Sequence, residues 1–492
     1  MSEKQAKEIA AGGGIVLLSS ITDRALRLGV TWLLSMYFGP EIFGVYTLTI
    51  TIVTLVKMFS PLGTELGTIY FGARYRQDNE KEKMKGLVIS SVGLSTFSAI
   101  ICSIILWFAA PHVTDHVSEL RWAIPAILFW TPLHTLVGLL RAQKDMKGNA
   151  IVYEIAVPLT LLAGAIAVVL IQLDLTAALI GYWFSLAISL FLGIQWSWKH
   201  FGSLFKDRSL RPIFSLKELL RYSIPMAFSQ FVFRLNAWMD ILMLGWLASD
   251  TDVGIYRIAV SLAMICSLPI HAIITIFNPI IVELVNQNDY QKLNGLLKLV
   301  TKWLLLFNLP VLMSFYLIPD VILMFFDEAY APSRYPLEIL VMGQLVWSAC
   351  SIAMRLIPMS GYAMLNLING IVAGMVNIGL NYVLIPKYGS IGAAIATSTT
   401  LALWAMWRLI EAKYLLKSFP FHAISFVMLL GCVSTSIVLK YILEGQHLWI
   451  RIVAVGLAII TFLSLSLIFG REREDKVIIS TITKKLNRLK KG

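Results

Sequence analysis

Between Ser19 and Tyr46 the chain reads SSITDRALRLGVTWLLSMYFGPEIFGVY, an apolar run that carries Asp23, Arg24 and Arg27. The run is long enough to cross a bilayer. A charge at the bilayer centre costs roughly 2.5–3.5 kcal/mol on insertion scales, so it faces a partner or a cavity. Asp23 and Arg27 are four apart and can pair, and Arg24 and Arg27, three apart, share a helix face. In the next run Lys57, Pro61 and Glu65 recur at intervals of four and predict one loose stripe. Further on, Asn236 and Asp240 are four apart, with Arg234 elsewhere on the circumference. Arg355 is near the end of a later run, where snorkelling and a cavity role are equally open. Arg141 and Arg257 are closer to the ends of their runs and read as structural. Together Arg24, Arg27, Lys57, Arg234 and Arg355 outnumber Asp23, Glu65 and Asp240. If these residues face a common cleft, it is cationic and suits an anion. Arginine forks match phosphate in particular, and a lipid diphosphate is one such anion. Asp23, Glu65 and Asp240 are the candidates for H⁺ or Na⁺ coupling, the bland alternative being that they only neutralise the arginines. His134 reads as a satisfied buried histidine, with a proton relay as the sharper alternative.

The elements that must position these groups are membrane helices. The chain has 492 residues, 58% hydrophobic and 14% charged, whereas a soluble domain carries about 25% charge. About fourteen spans are expected by the ~20-residue criterion: an all-α polytopic membrane protein. The net charge of +12 does not point to nucleic acid, because the lysines and arginines cluster in alternate short loops and at the C-terminus. That asymmetry predicts cytoplasmic termini and a multi-pass protein of the inner (plasma) membrane, with lipids as constant partners. Cys102, Cys266, Cys350 and Cys432 lie in apolar runs without a CxxC and read as small buried hydrophobes. Walker A, HExxH and GxSxG motifs and Cys/His ligand clusters are absent from the sequence, so neither ATP hydrolysis nor a catalytic or metal site is expected, and no cofactor beyond a coupling ion.

The chain also repeats itself. Arg24 and Arg234, and Gly44 and Gly254, are each 210 residues apart, and the charged span in each half leads into G-[VI]-Y. The expected division is a six-helix bundle over residues 1–198, a cytoplasmic linker 199–218, a second bundle 219–412, two extra spans 413–470 and a basic tail 471–492. Parallel repeats with a path between them are one way to build a transporter.

Four stretches carry a family resemblance. YFGPEIFGVYTL resembles the "LGPxxFGxY" turn of polysaccharide-biosynthesis flippases, and DTDVGIYRIA their "TDVGxY" element. IPKYGSIGAAIAT is similar to their "IPxYGxxGAAxAT" signature, and GLLRAQKDMKGNAI to the inner end of their fourth span. The resemblance covers essentially Gly12 to Phe469. It implies membership of the O-antigen (Wzx-type) branch of the multidrug/oligosaccharidyl-lipid/polysaccharide exporter superfamily, two six-helix bundles in a V with two additional C-terminal helices, and alternating access. It further implies an undecaprenyl-diphosphate-linked oligosaccharide as substrate, cavity arginines at Arg24 and Arg234, and polysaccharide polymerase or assembly proteins as partners. Two competitors stay open: a multidrug antiporter of the same superfamily, which the basic excess opposes, and a transport-inactive scaffold. Short outer loops argue against an enzyme.

Overall fold

The computed structural model describes residues 3–267, 270, 277, 281–287 and 289–469; the side chains of 1–17, 229, 230, 232–234, 363 and 467–469 are outside that description, as is the basic tail. Every described element is helical. Ten helical stretches are long and apolar enough to cross a membrane, and two of them, Leu18–Gln77 and Met364–Leu416, hold 60 and 53 residues. At 1.5 Å per residue a 53-residue helix would run about 80 Å, more than twice the ~30 Å hydrocarbon core. Each is therefore two spans joined at a glycine. In α1 (Glu3–Phe59) the joint is Gly39, at φ 70°, ψ 175°. In the 54-residue helix Ala363–Leu416 it is Gly389, at φ 53°, ψ −130°. Both conformations are costly for a residue with a Cβ. Ten stretches thus supply twelve crossings. The other two expected spans fall on Leu216–Leu247, which is broken after Asn236, and on a run entering residues 268–280, outside the description.

Contacts divide the chain into two compact units, Met1–Arg257 and Ile258–Gly492. Unit 1 contains α1, α2 (Thr64–Gln77), α3 (Lys81–Val113), α4 (Val117–Ala123), α5 (Pro125–Ala142), α6 (Met146–Asn149), a π-helical turn (Ala150–Ile155), α7 (Ala156–Ile171), α8 (Leu175–Lys206), α9 (Leu216–Asn236), α10 (Met239–Leu247) and the start of α11 (Asp250–Ile265). The most enclosed span is α4–α5, with α2, α3 and α8 around α5. At the basic end Phe71, Tyr75, Leu87, Leu139, Phe201 and Leu219 form one apolar plug. It ties α9 to the helices before it, and so contacts carry unit 1 past the sequence boundary at 198–219.

Small residues let the helices of unit 1 approach closely, as they do in membrane packing generally. A Cβ on Gly138 of α5 would meet the Glu65 carbonyl oxygen of α2 at 2.7 Å, and a Cβ on Gly63 would overlap the Ser223 carbonyl of α9. The repeat itself is joined this way. A Cβ on Gly44 would overlap the Asp250 carbonyl oxygen, and one on Gly254 the Pro40 carbonyl oxygen. The two contacts are the same contact, exchanged between positions 210 residues apart. Trp246 Nε1–H donates to the Val113 carbonyl (2.9 Å) and His116 Nε2 pairs with Asp250 (2.9 Å) beside it.

Unit 2 is built on α12 (Tyr290–Leu317), α13 (Pro319–Leu323), α14 (Arg334–Met359), α15 (Ala363–Leu416), α16 (Ala423–Leu443) and α17 (Leu448–Phe469). Leu293, Leu297, Val300 and Leu304 recur at the helical period along α12. They meet Ile352, Ala353, Leu356 and Ile357 of α14 and Ala412 and Leu416 of α15.

Candidate cation–aromatic site

The site in unit 1 is assembled by local departures from regular helix. After α1 the chain passes Ser60–Gly63 with Leu62 at φ 51° and Gly63 at φ 75°, then starts α2 one residue before Glu65. The expected Lys57–Pro61–Glu65 stripe is therefore broken, because a helical register does not survive two left-handed residues. Both ends of the stripe nevertheless reach α5. Lys57 is buried, hydrogen-bonds the Tyr182 hydroxyl of α8, and lies 5.4 Å from the Trp130 ring and 5.0 Å from the Tyr182 ring. Glu65 accepts from Arg141 Nη1 at 2.7 Å and pairs with His134 Nδ1 at 2.8 Å. Trp130, His134, Gly138 and Arg141 follow one face of α5. The missing side chain at Gly138 is what lets α2 come close enough for its neighbours to hold Glu65.

The network continues through the π-helical turn. Arg141 Nε donates to Asn149 Oδ1 (3.0 Å), and Asn149 Nδ2 to Glu154 Oε1 (3.2 Å). Glu154 also accepts from Ser19 and Ser20 of α1. An i→i+5 turn offsets the side chains relative to an α-helix, and such turns are common at functional sites. Here it presents Tyr153 and Glu154 to the same cluster: Tyr153 accepts from Trp130 Nε1 (3.3 Å) and meets His134 edge-on, with ring centroids 5.6 Å apart. Trp130 stacks on His134 at 4.2 Å.

Arg27 and Asp23 pair at 2.7 Å, as their spacing predicts, and Tyr153 and Tyr182 are within electrostatic reach of Arg27. Arg24 is different. It is exposed, although it stays within electrostatic reach of Asp23. Asp240 is buried in the first turn of α10, where the helix dipole favours a carboxylate, and accepts from the Tyr256 hydroxyl at 2.9 Å. The backbone break at Ala237–Trp238 separates it from Asn236. Arg234 lies in α9, but its side chain is outside the described residues. Arg355, in unit 2, is half-buried in the last two turns of α14, with no ion pair among the described residues.

Sequence reasoning missed or underrated four groups. Glu154 lies inside an apolar run, the same signal that marks Asp23, and was passed over; the π-turn presents it to the cluster. His134 and Arg141 are where the pattern puts them, but their common partner on α2 is not legible. Arg257 sits over Trp238, 5.5 Å from its ring, within electrostatic reach of Arg27 and Tyr46; its place near the end of an apolar run made it look peripheral. Among the described residues, Lys57 and Arg257 thus meet aromatic rings and no carboxylate. Such contacts are worth about 0.5–2 kcal/mol and leave the positive charge uncompensated.

The family model described as "Polysaccharide biosynthesis protein" matches residues 9–285, and that described as "MatE" matches 225–383. A probable low-salt glycan biosynthesis flippase, Agl15, of Haloferax volcanii is 22% identical over 263 residues, covering 53% of this chain and 54% of that protein. The chain thus spans about half the length of this curated relative. Among solved structures, the lipid II flippase MurJ in an inward closed conformation superposes with TM-score 0.70 at 16% identity, over 91% of this chain and 97% of that one. An inward-facing multidrug resistance MATE family transporter of the MOP superfamily gives 0.68 at 14% identity, over 80% and 94%. At these identities the likeness shows the fold alone. The first family match covers more than half of the chain, and the protein belongs to the polysaccharide biosynthesis protein family.

Proposed function

We propose that this protein is a flippase that moves a lipid-linked anionic glycan from the cytoplasmic to the outer leaflet of the inner membrane by alternating access. The observation that carries the reading is the pair of cations held by aromatic rings in unit 1. Asp23 and Glu65 are matched by Arg27 and Arg141. Lys57, Arg257 and the exposed Arg24 keep their charge available to an anion, and a diphosphate between lipid and sugar is the group arginine forks hold best. An undecaprenyl diphosphate is the carrier we infer, with cytoplasmic termini, an ion gradient as the driving force, and polysaccharide polymerase or assembly proteins as the downstream partners. The names of the relatives, a glycan biosynthesis flippase and a lipid II flippase, support the same substrate class.

The test is the lipid-linked sugar that accumulates when the gene is removed, and the leaflet it occupies. A complete lipid-linked unit on the cytoplasmic face is the expected result. Restored wild-type protein should clear it, and Lys57→Met or Arg257→Met should not, at equal amounts in the membrane. No accumulation, accumulation already outside, or full clearance by both variants overturns the reading.

A further inference from the structure

Glu65 and His134 are not needed to present positive charge to a substrate, yet the pair is closely held. His134 is 8% exposed, clamped between the face of Trp130 and the edge of Tyr153, with Nδ1 2.8 Å from Glu65. Glu65 stands in the first turn after the break at Ser60–Gly63. The other side of that break is a seam with α9. A Cβ on Gly63 would overlap the Ser223 carbonyl, one on Gly67 would meet Leu219 Cδ1 at 2.6 Å, and Tyr70 stacks on Tyr222 at 4.6 Å. One short helix, α2, is therefore gripped by a histidine–carboxylate pair on one side and fitted without slack to another helix on the other.

We propose that His134 and Glu65 form a proton-binding site, and that its occupancy sets how firmly α2 is held to α5 and hence the state of the α2–α9 seam. The inference rests on the flippase reading for its use as a coupling device, although the site itself does not.

The chemistry balances with a single proton. Glu65 already has one full positive partner in Arg141, at 2.7 Å. With a neutral imidazole, Nδ1–H donates to the carboxylate and the triad of Glu65, Arg141 and His134 carries no net charge. A proton taken up on Nε2 converts that hydrogen bond into an imidazolium–carboxylate pair and leaves the triad at one positive charge. The bond to the ionised carboxylate is charge-assisted in both states, and loading adds the attraction between two unit charges in a poorly solvated place, so the loaded site grips α2 more tightly than the empty one. Histidine is the side chain whose charge changes between about pH 5 and 8 without large perturbation.

Titratable groups stand on the elements packed around this pair. Asp23, Arg27 and Lys57 come from α1, with Lys57 over the same Trp130 ring that stacks on His134. Arg141 comes from α5, Tyr153 and Glu154 from the π-turn, Tyr182 from α8 and Tyr222 from α9. The charges of α3 lie at its ends, at Lys81–Lys85 and His112. Arg27, Lys57 and Arg141 oppose loading, and Asp23, Glu154 and Glu65 itself favour it.

The full-length protein in nanodiscs is the material for the test. Amide hydrogen exchange is followed across residues 56–70 on the acid and alkaline sides of histidine titration, corrected for intrinsic rates. Wild type should show protection that falls by about threefold or more on deprotonation, and His134→Gln and Glu65→Gln should each abolish that difference. Wild-type exchange independent of pH, or an unchanged pH difference in both variants, overturns the proposal. A second readout uses proteoliposomes containing a lipid-diphosphate glycan, with and without an imposed pH gradient. The ratio of initial rates should exceed one in wild type and fall to one in either variant. Wild type that flips the lipid at the same rate under both conditions sinks the coupling and leaves the flippase reading intact. Wild type that flips nothing sinks the flippase reading, while the exchange experiment still decides the site.

Discussion

Arg27 and Arg141 in unit 1 each lie 2.7 Å from a carboxylate. Arg408 in unit 2, only 1% exposed, lies 3.6 Å from Glu411, and that carboxylate is already committed to Asn369 Nδ2 and Trp407 Nε1 at 2.7–2.8 Å. Its guanidinium reaches Asn366 and stands 6.0 Å from the Trp404 ring, while Nε has no acceptor among the described residues. The networked ion pairs of unit 2 are at its acidic end instead. Asp320 takes Arg451 at 2.9 Å and Arg334 at 3.2 Å, and Glu338 takes Arg334 at 3.0 Å together with Lys440. Among its matched charges unit 1 places Glu65 and Arg141 beside a helix break and a π-turn, amid the cluster that also holds Lys57 and His134. Unit 2 uses them to dock α16 and α17 onto the ends of α13 and α14. The difference teaches that a count of intramembrane charges does not locate a site; the pairing does.

The largest effect expected from this contrast is at Arg141. Removing one member of a buried pair leaves the other uncompensated, which costs about 3–5 kcal/mol in full burial. Arg141 is 33% exposed and Glu65 16%, so roughly 3 kcal/mol or less is the expectation once solvent screening is allowed for. Thermal unfolding in detergent should show Arg141→Met strongly destabilised. Adding Glu65→Gln should recover a large part of the loss, because the orphan is then neutral. Equal stability of Arg141→Met and wild type would mean the triad is not a unit.

Arg408 should behave in the opposite way. A buried charge with unmet donors is often replaced by an apolar side chain at no cost or with a gain of about 1 kcal/mol. Arg408→Met keeps the volume, and Glu411 retains Asn369 and Trp407. The expected unfolding temperature is equal to or above that of wild type, whereas Arg27→Met, which strands Asp23, should fall below it. A drop for Arg408→Met as deep as that for Arg27→Met would erase the contrast between the units.

Much of the fold was legible because it depends on quantities a sequence displays: apolar length, and the glycines at Gly39 and Gly389 that turn two long helices back on themselves. The 210-residue repeat was legible too, and the reciprocal Gly44–Asp250 and Gly254–Pro40 contacts give it a physical meaning. The site was legible only where partners share one helix, as Asp23 and Arg27 do. Lys57 and Glu65 were read as one stripe because their spacing is helical, and nothing in Ser60–Gly63 beyond one proline and one glycine announces two left-handed residues. Glu154 was visible as a carboxylate in an apolar run, but its partners were not, since a π-turn has no reliable sequence mark. Arg408 and the set around Asp320 depend on contacts between distant helices, which periodicity within one helix does not encode.

At the acidic end of unit 2 the effects should be smaller. Lys440 is 28% exposed and Arg451 17%, and each ties a C-terminal helix to carboxylates that keep Arg334. Losing one arm of a partly solvated network costs about 1 kcal/mol or less. Lys440→Met and Arg451→Met should each lower the unfolding temperature slightly. Together they should lower it by more than the sum if the network acts as one. A loss as large as that of Arg141→Met would show that the docking of α16 and α17 is as critical as the triad.

The smallest effect lies outside the membrane, at the junction of α5, α6 and α8, and its sign can be worked out. Asp145 caps α6 by accepting from the Gly148 N–H at 2.8 Å, and it also accepts from Trp196 Nε1 and pairs with His200 Nε2, both at 2.7 Å. Burial alone would raise its carboxyl, but the Gly148 N–H, the Trp196 indole and His200 together hold it below the ordinary value. A carboxyl depressed in the folded state adds stability that is fully present above its unfolded value of about 3.9 and is lost as the pH falls through the folded value. Asp145→Asn still caps Gly148 but no longer attracts an imidazolium. At neutral pH the variant should be less stable by under about 1 kcal/mol, and the gap should close on acidification below about pH 4. Unlike the proposed loading of His134, this dependence should leave exchange across residues 56–70 untouched between pH 5 and 8, so the two titrations separate the clamp at the basic end from the pair inside the membrane.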